Sequence, residues 1–381
     1  MAQLEAQHIE YIKASWAKMQ SREDLADLLT QVQEMLYPES NKNRKVRVKS
    51  LTYYANPKVA KKRYKQFAIK KKSGGKRIIE APIPQLSYLQ HLLNAVFNVI
   101  FKPHPNAMGF VTGKSVVDNA RLHIRQNYVF NIDLADFFPS VEFRRVKTVL
   151  QIKPFTLNDE LAFLVANLCC YNGRLPQGAP TSPTLTSAVC QRLDRRLAGV
   201  AKRFGCIYTR YADDITFSSM HNVYQEGSAF RNEVNRVIEN ENFRINPAKT
   251  RLQKNGYRKE VTGITVNEKT NLSRRYIRTV RAMLNNWEKY GLKQAEQKFR
   301  PAYIRDKGNV KKPDASFIEV LRGKLNYMKM VRGEDDMLFQ KYQKQFVNLL
   351  RKHLYGDIDL KKILDVWEKQ GIEKAMEVYY E

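Results

Sequence analysis

Three aspartates that follow strand-like runs have the clearest potential for chemistry in this sequence. Asp213 and Asp214 lie in a stretch from residue 207 to 217 that reads as strand, turn, strand, and Asp133 ends another apolar run. Carboxylates that converge at strand ends can hold two Mg²⁺ ions roughly 3.5–4 Å apart, an arrangement that serves nucleotidyl transfer. The pattern therefore predicts a two-Mg²⁺ site, with the backbone carbonyl of Leu134 as a further ligand.

An acidic pair in a turn is weak evidence alone, because aspartate is common in turns. Further segments supply what such a site would need. The stretch from residue 67 to 79 predicts a basic hairpin around Ser-Gly-Gly, in which Lys70, Lys72 and Arg77 could grip phosphates. The alternative is a solvated basic hairpin with no ligand.

Four more side chains are candidate nucleotide contacts. Gln177 lies in a Pro-Gln-Gly turn, where Gly178 would let the backbone approach a substrate closely. Phe138, five positions after Asp133, could lie beneath a sugar and exclude a ribose 2′-hydroxyl, or it could be a core residue. Lys249 could lie near a leaving pyrophosphate, although a lone lysine is more often a solvated charge.

Composition narrows the class of protein. The 381 residues carry a formal net charge of +28, and 43% of them are hydrophobic. A globular chain with this excess of positive charge predicts a polyanionic partner, foremost nucleic acid. The sequence has no basic amphipathic anchor, long apolar span or signal pattern, so we expect a cytoplasmic protein without a membrane partner. The spacing of the four cysteines does not indicate zinc.

The elements that must position the aspartates can be placed along the chain. We expect helices in residues 1–60, a region with the basic hairpin at 61–128 and a region with both strand blocks at 129–270, with an inserted helical region at about 143–175. One helix is predicted from residue 185 to 200. The chain then becomes helical and basic, which predicts a helical region at 271–355 and a helical extension at 356–381. We expect that extension to pack on the preceding helices rather than to hold a partner.

These motifs, in this order, resemble those of reverse transcriptases from about residue 50 to 270. Finer features resemble the bacterial retron group: Cys-Cys-Tyr at 169–171, the loop at 175–183, Asn-Ala-x-x-His at 119–123 and Val-Thr-Gly at 261–263. The resemblance implies an α+β right-hand polymerase, with fingers at 61–128, a palm at 129–270 whose antiparallel sheet is flanked by helices, and a helical thumb at 271–355. The last two motifs could instead be a helix with a surface histidine and a strand that ends at glycine.

The resemblance also implies partners and a reaction. Retron enzymes copy their own structured non-coding RNA, starting from a guanosine 2′-hydroxyl, and make a branched RNA–DNA hybrid from deoxynucleoside triphosphates. They act with an effector protein in antiphage defence. The resemblance also leaves open whether this chain forms a higher-order assembly. The residues that the resemblance links with RNA specificity are Asn119, Ala120, His123, Val261, Thr262 and Gly263.

Two other functions remain at this point. The chain could be another bacterial reverse transcriptase, of the abortive-infection, diversity-generating or group II intron type. It could also be a nucleic-acid scaffold whose polymerase site is vestigial, although all three aspartates are present.

Overall fold

The computed structural model describes residues 4–38, 45–70, 74–307, 315–355 and 360–380. The chain divides into two compact units, Met1–Lys269 and Thr270–Glu381. The first unit combines helices with three antiparallel sheets, and the described part of the second is helical. Lys72 and part of the predicted Ser-Gly-Gly turn lie outside the described residues.

The first unit begins with helices, as predicted. Helix α2 starts at a capping box in which Ser21 Oγ accepts from the Asp24 amide at 3.2 Å and the Asp24 carboxylate accepts from the Ser21 amide at 2.9 Å. The helices of this unit are α1 Ala6–Lys18, α2 Arg22–Leu36, α3 Val48–Ala55, α4 Pro84–Ile100, α5 Val116–Arg121, α6 Phe143–Gln151, α7 Asp159–Cys169, α8 Ser182–Val189, α9 Gln191–Arg203 and α10 Ala229–Asn240.

The prediction of a single helix from residue 185 to 200 is wrong. Two helices, α8 and α9, meet at Cys190, which lies between them. The ψ of Cys190 is −3°, and its amide bonds to the carbonyls of Thr186 and Ala188. No glycine or proline marks this bend, so the sequence carries no helix-breaking signal there.

Strands form a fingers-like hairpin, a central sheet and a small second hairpin. Their bounds are β1 Tyr64–Lys70, β2 Lys76–Pro82, β3 Tyr128–Ala135, β4 Ile207–Tyr211, β5 Asp214–Ser219, β6 Arg244–Lys254, β7 Glu260–Val261 and β8 Ile264–Thr265. The central sheet has the order β4-β5-β3-β6, and every neighbouring pair is antiparallel. The predicted hairpin at 67–79 and both predicted strand blocks are confirmed.

The two faces of the central sheet differ because side chains alternate along a strand. Ile132 and Leu134 on β3 are buried in the core. Helix α9 packs against β4, and α10 packs against β6. Asp133 lies between Ile132 and Leu134 in sequence and therefore points to the opposite face. The core thus fixes the direction of the first aspartate.

The second unit contains α11 Arg274–Lys307, α12 Phe317–Arg332, α13 Met337–Tyr355, α14 Leu360–Gln370 and α15 Ile372–Tyr380. Helix α11 is interrupted at Gly291, whose φ is +76°. The Trp287 ring makes edge contacts with Phe317 and Phe346, which joins the first three helices. No helix within the described ranges combines the length and apolar composition that crossing a bilayer requires.

The extension at 356–381 forms a helical pair in its described part, since α14 and α15 pack on each other. Leu364, Trp367, Ile372 and Met376 are each at least half exposed. About half of each side chain therefore faces solvent, and packing of the extension on the thumb stays a prediction.

Candidate active site

The three predicted aspartates come together at one end of the central sheet. Asp133 on β3 pairs with Asp214 on β5, and the amide of Leu134 donates to the carbonyl oxygen of Asp213 at 3.0 Å. Asp213 and Ala212 form the two-residue loop between β4 and β5. Backbone pairing therefore holds the carboxylates together, although they lie 80 positions apart in sequence. A metal contact by the Leu134 carbonyl stays a prediction.

A bulge in β6 brings Lys249 to the same place. The pairing between β3 and β6 shifts from Asn131↔Arg251 to Asp133↔Asn246, so β6 carries extra residues there. Lys249 Nζ donates to Asp133 Oδ1 at 2.8 Å, and Asn246 Nδ2 donates to Oδ2 at 3.0 Å. Both carboxylate oxygens of Asp133 are thus hydrogen-bonded.

The electrostatics of the site indicate an excess of negative charge. Burial, together with the charges of Asp213 and Asp133, raises the pKa of Asp214 to about 6. Burial also raises the pKa of Asp213. The hydrogen bond to Asp133 raises the pKa of Lys249, which favours its charged form. One lysine faces three carboxylates, so a further cation would stabilise the ionised site.

These donors fit a hard divalent cation, because carboxylate oxygens are what Mg²⁺ prefers. Among the described residues, no three His, Cys, Asp or Glu side chains are arranged as a ready metal site. Both carboxylate oxygens of Asp133 are engaged by Lys249 and Asn246 instead. Asp133, Asp213 and Asp214 remain the residues that could hold such an ion.

A buried ion pair braces the loop that carries Asp213. Arg210 Nη2 lies 2.6 Å from Asp194 Oδ2, and both side chains are almost fully buried. Arg210 Nη1 also donates to the carbonyl of Ala212 at 3.2 Å, and Tyr208 donates its hydroxyl to Asp194. Ala212 has a φ of +57°, which disfavours alanine, so this contact helps to hold a strained turn.

The segment 106–110 packs against the same loop from outside the sheet. The Met108 amide donates to the Arg210 carbonyl at 2.8 Å, and the Arg210 amide donates to the Asn106 carbonyl at 2.9 Å. A Cβ atom on Gly109 would lie 2.5 Å from the Ala212 nitrogen, so only glycine fits at this position. Gly109 is therefore part of the support of the carboxylate loop.

The loop with Gln177 joins the hairpin that carries the predicted phosphate contacts. The Glu80 amide on β2 donates to the Gln177 carbonyl at 2.9 Å. Gly178 has a φ of +137°, and a Cβ there would lie 3.0 Å from the Glu80 carbonyl oxygen. The close approach that we predicted at Gly178 is thus made to β2, and a contact with a nucleotide by either residue stays a prediction.

The remaining nucleotide candidates lie near this loop or near Asp133. Lys70 and Arg77 lie at the β-hairpin end, and the charge of Arg77 contributes to lowering the pKa of Asp213, which burial raises. Phe138 is half-buried between Phe110 and Phe137, at ring distances of 6.0 and 5.5 Å. Its ring is therefore only partly buried. A position of this ring beneath a sugar stays a prediction.

The two motifs linked with RNA specificity pack against each other. Asn119 Nδ2 donates to Thr262 Oγ1 at 3.5 Å, and Thr262 Oγ1 donates to the Val116 carbonyl at 3.2 Å. Thr262 and the exposed Gly263 form the turn between β7 and β8, with φ values of +47° and +83°. A β-branched residue is strained at such a φ, and these contacts hold it there.

Three of the six residues that were expected to bind RNA are buried. Ala120, His123 and Val261 are fully buried, so their side chains cannot touch RNA in this structure. The His123 ring lies 2.6 Å from Ser218 Oγ and 2.8 Å from Thr209 Oγ1, which ties it to β4 and β5. They support the exposed turn instead, and a role of the group in RNA recognition stays a prediction.

We expect His123 to make the protein less stable in acid. Burial lowers the pKa of His123 from 6.5 to about 3. Below pH 6.5 the imidazole is therefore protonated in the unfolded chain but stays neutral in the folded chain, which favours unfolding. Urea unfolding of the wild type and His123→Gln should show a stability difference that falls by about 1.4 kcal/mol per pH unit between pH 6.5 and 4.5. His91→Gln is the control on an exposed histidine. Parallel curves for the wild type and His123→Gln would contradict this.

Sequence reasoning missed several residues that build the site. Asn246, Gly109 and the pair Arg210–Asp194 were not predicted, because their partners are distant in sequence. Arg210, within an apolar strand three positions before Asp213, was the one available signal, since a buried arginine requires a partner.

Comparisons with known proteins agree with this geometry. Residues 69–303 match the family model described as reverse transcriptase (RNA-dependent DNA polymerase). The retron Mx65 reverse transcriptase of Myxococcus xanthus is 39% identical over 260 residues, which cover 63% of this chain and 60% of that protein. The retron Ec86 reverse transcriptase of Escherichia coli is 35% identical over 231 residues, covering 59% and 70%.

A solved telomerase from Candida albicans is similar with a TM-score of 0.43 and 10% identity, over 81% of this chain and 66% of that chain, from which we draw no conclusion. The chain spans about 60% of the length of the Mx65 relative and 53% of the Mx162 relative. The family match covers more than half of the chain, and its α+β architecture with an antiparallel central sheet is that of a right-hand polymerase. The chain therefore belongs to the reverse transcriptases, and its relatives place it with those of bacterial retrons.

Proposed function

We propose that this protein is an RNA-directed DNA polymerase of the retron type. The observation that carries the proposal is the meeting of Asp133, Asp213 and Asp214 at one end of an antiparallel sheet, with Lys249 beside them. Phosphoryl transfer needs mainly positioning and charge stabilisation, which such a site can supply. The net charge of +28 suits a protein that holds a duplex and a folded RNA.

Reverse transcriptases use divalent metal ions, and we propose two Mg²⁺ ions held by the three aspartates. Such ions stabilise charge on a transferring phosphoryl group and lower the pKa of a bound hydroxyl. Lys249 balances the charge of Asp133, and its flexible stem would let its ammonium reach the phosphates of an incoming nucleotide. Lys70 and Arg77 would bind the triphosphate from the hairpin, while Phe138 would exclude a ribose 2′-hydroxyl.

The retron assignment extends to the template, the primer and the partners. We propose that the protein copies a cognate structured RNA from a 2′-hydroxyl within it and yields a branched RNA–DNA hybrid. It would act in the cytoplasm with an effector protein in antiphage defence. The similarity to retron relatives and the paired Asn119–Thr262 motifs support this proposal.

The test is to purify the protein from cells that express its native locus and to treat the bound nucleic acid with RNase, DNase or a debranching enzyme. A short DNA that is joined to RNA and released by debranching is the expected result. DNA without an RNA junction would overturn 2′-hydroxyl priming and would favour another bacterial reverse transcriptase. RNA alone, with no incorporation of deoxynucleotides by the purified protein in Mg²⁺, would overturn the polymerase assignment.

We expect the Arg210–Asp194 pair to position the carboxylate loop as well as to stabilise the fold. Arg210→Met alone should cost about 3–5 kcal/mol of unfolding free energy, because it leaves a buried charge without a partner. Arg210→Met with Asp194→Leu should recover most of that stability. The double variant still lacks the donor to the Ala212 carbonyl, so DNA synthesis should stay about 10–100-fold low. Urea unfolding and primer extension measure the two effects, and wild-type synthesis by a stable double variant would exclude the positioning role.

A further inference from the structure

A cavity of about 860 Å³ lies in the first unit, away from the carboxylates. Parts of α1, α4, α6, α8 and α9 line it, together with the loop after α6. None of the predicted site residues lines the cavity, so it is separate from the candidate active site.

The cavity is strongly basic. Its only acidic lining residue, Glu241, already accepts hydrogen bonds from Arg192 at 2.7 Å and Arg196 at 2.8 Å. Six more cations line the cavity, and within the described residues the structure shows no carboxylate paired with any of them: Lys13, Lys102, Arg144, Arg145, Lys153 and Arg195. Such a concentration of uncompensated positive charge favours an anionic occupant.

Three of these cations are arginines: Arg144, Arg145 and Arg195. Arginine suits a phosphate group, because its planar guanidinium matches the phosphate oxygens. The Arg145 guanidinium lies 4.8 Å from the centre of the Phe243 ring, and its Nη1 is buried out of reach of an occupant. Arg145 therefore contributes mainly its charge to the cavity.

The floor of the cavity is apolar. Val149, Ile152 and Pro154 contribute to it, and Ile152 is 54% exposed. An inorganic anion alone would leave this surface open to water. The occupant that matches both the floor and the rim has a flat apolar face and a negative charge. Its size is also within the range of pockets that bind one small organic group.

We propose that this cavity binds a nucleotide, with its base on the apolar floor and its phosphate among the cations of the rim, and that the nucleotide is an unpaired residue of bound RNA. The inference rests on the proposed function in that an RNA must be the partner. Unpaired bases are the parts of a folded RNA that can splay out and stack on side chains, whereas helical RNA is bound through shape and phosphates. Because none of the predicted site residues lines the cavity, RNA bound there would be anchored away from the carboxylates.

Photocrosslinking tests the site directly. The full-length protein would be bound to the RNA that copurifies with it, prepared with 4-thiouridine, irradiated and digested for mass spectrometry. Crosslinks are expected in peptides that contain Val149, Ile152 or Pro154. AMP and GMP, measured by equilibrium dialysis, serve as free-nucleotide probes. Saturable binding of these nucleotides without any RNA crosslink at the cavity would overturn RNA as the source.

Matched variants test the charge. Arg144→Gln, Lys153→Gln and Arg195→Gln together remove three charges from the rim. Lys18→Gln, Lys202→Gln and Arg236→Gln remove three from α1, α9 and α10 outside the cavity. The cavity variant should bind the RNA at least about 10-fold more weakly, and the slope of log K against log salt should fall by about 2–3. Equal effects in both variants would overturn the proposal, because they would show only the loss of net charge.

DNA synthesis on an oligo(dT)-primed poly(rA) template separates this inference from the proposed function. The cavity variant should extend that primer at the wild-type rate, because the cavity lies away from the carboxylates. If the wild type itself makes no DNA, the proposed function fails. If the wild type makes DNA and neither crosslinks nor variants mark the cavity, only the further inference fails.

Discussion

Asp213→Asn together with Asp214→Asn is expected to lower DNA synthesis by at least about 1,000-fold while RNA binding stays near the wild-type level. Metal ions contribute several kcal/mol to such reactions, and about 4 kcal/mol corresponds to that factor. The double variant removes two of the three charges that would hold a cation. Primer extension with Mg²⁺ measures the loss, and filter binding of the copurified RNA measures the binding.

Asp136→Asn is the matched control for this change. Asp136 lies three positions after Asp133 but is 70% exposed and forms an ion pair with Arg244 at 3.3 Å. The same aspartate-to-asparagine change there should leave synthesis within about two-fold of the wild type, since surface ion pairs contribute little. Full synthesis by the double variant would remove Asp213 and Asp214 from the metal site. Loss of synthesis together with loss of RNA binding would point to misfolding.

Gly109→Ala is expected to lower DNA synthesis by about 100-fold, although Gly109 carries no chemical group. Its Cβ would lie 2.5 Å from the Ala212 nitrogen and 3.0 Å from the Tyr211 carbonyl carbon, which are backbone atoms that cannot turn aside. Relief of the clash must shift the loop that carries Asp213, and a displacement of about 1 Å can cost that factor in rate. The expected stability loss is only about 1–3 kcal/mol. Primer extension measures the rate, and urea unfolding measures the stability.

Gly199→Ala provides the comparison, because Gly199 lies within α9 and a Cβ there meets no atom closer than 3.9 Å. Alanine should stabilise that helix by about 0.5–1 kcal/mol and leave synthesis unchanged. If Gly109→Ala is as active as Gly199→Ala, the loop tolerates the added methyl group. The 106–110 segment then does not position Asp213.

The aspartates and their strands could be predicted because their signals are local. An apolar run that ends in an acidic residue requires only the nearest neighbours in sequence, and both strand blocks are where that pattern placed them. The capping box at Ser21 is equally local. The roles of Lys70, Phe138 and Gln177 as nucleotide contacts remain predictions.

The residues that support the site could not be predicted, because the contacts that they make are with residues far away in the sequence. Lys249 reaches Asp133 only through the bulge in β6, which shifts the strand register. Position 109 must be glycine because it packs against a loop about 100 positions later in the sequence. His123 is buried, with hydrogen bonds to Thr209 and Ser218, and is not on the surface. Tertiary packing, rather than local preference, determines each of these positions.

The central position of β3 has a consequence for how the chain folds. β3 is complete by Ala135, but its two partners begin only at Asp214 and Arg244, so neither edge can be hydrogen-bonded when the strand leaves the ribosome. Contacts this distant in sequence form late and slow folding. The apolar strand therefore has open edges during about 80 residues of synthesis, and the acidic cluster assembles only once β5 has been made. Any truncation before residue 214 leaves β3 without its β5 partner, as an aggregation-prone edge.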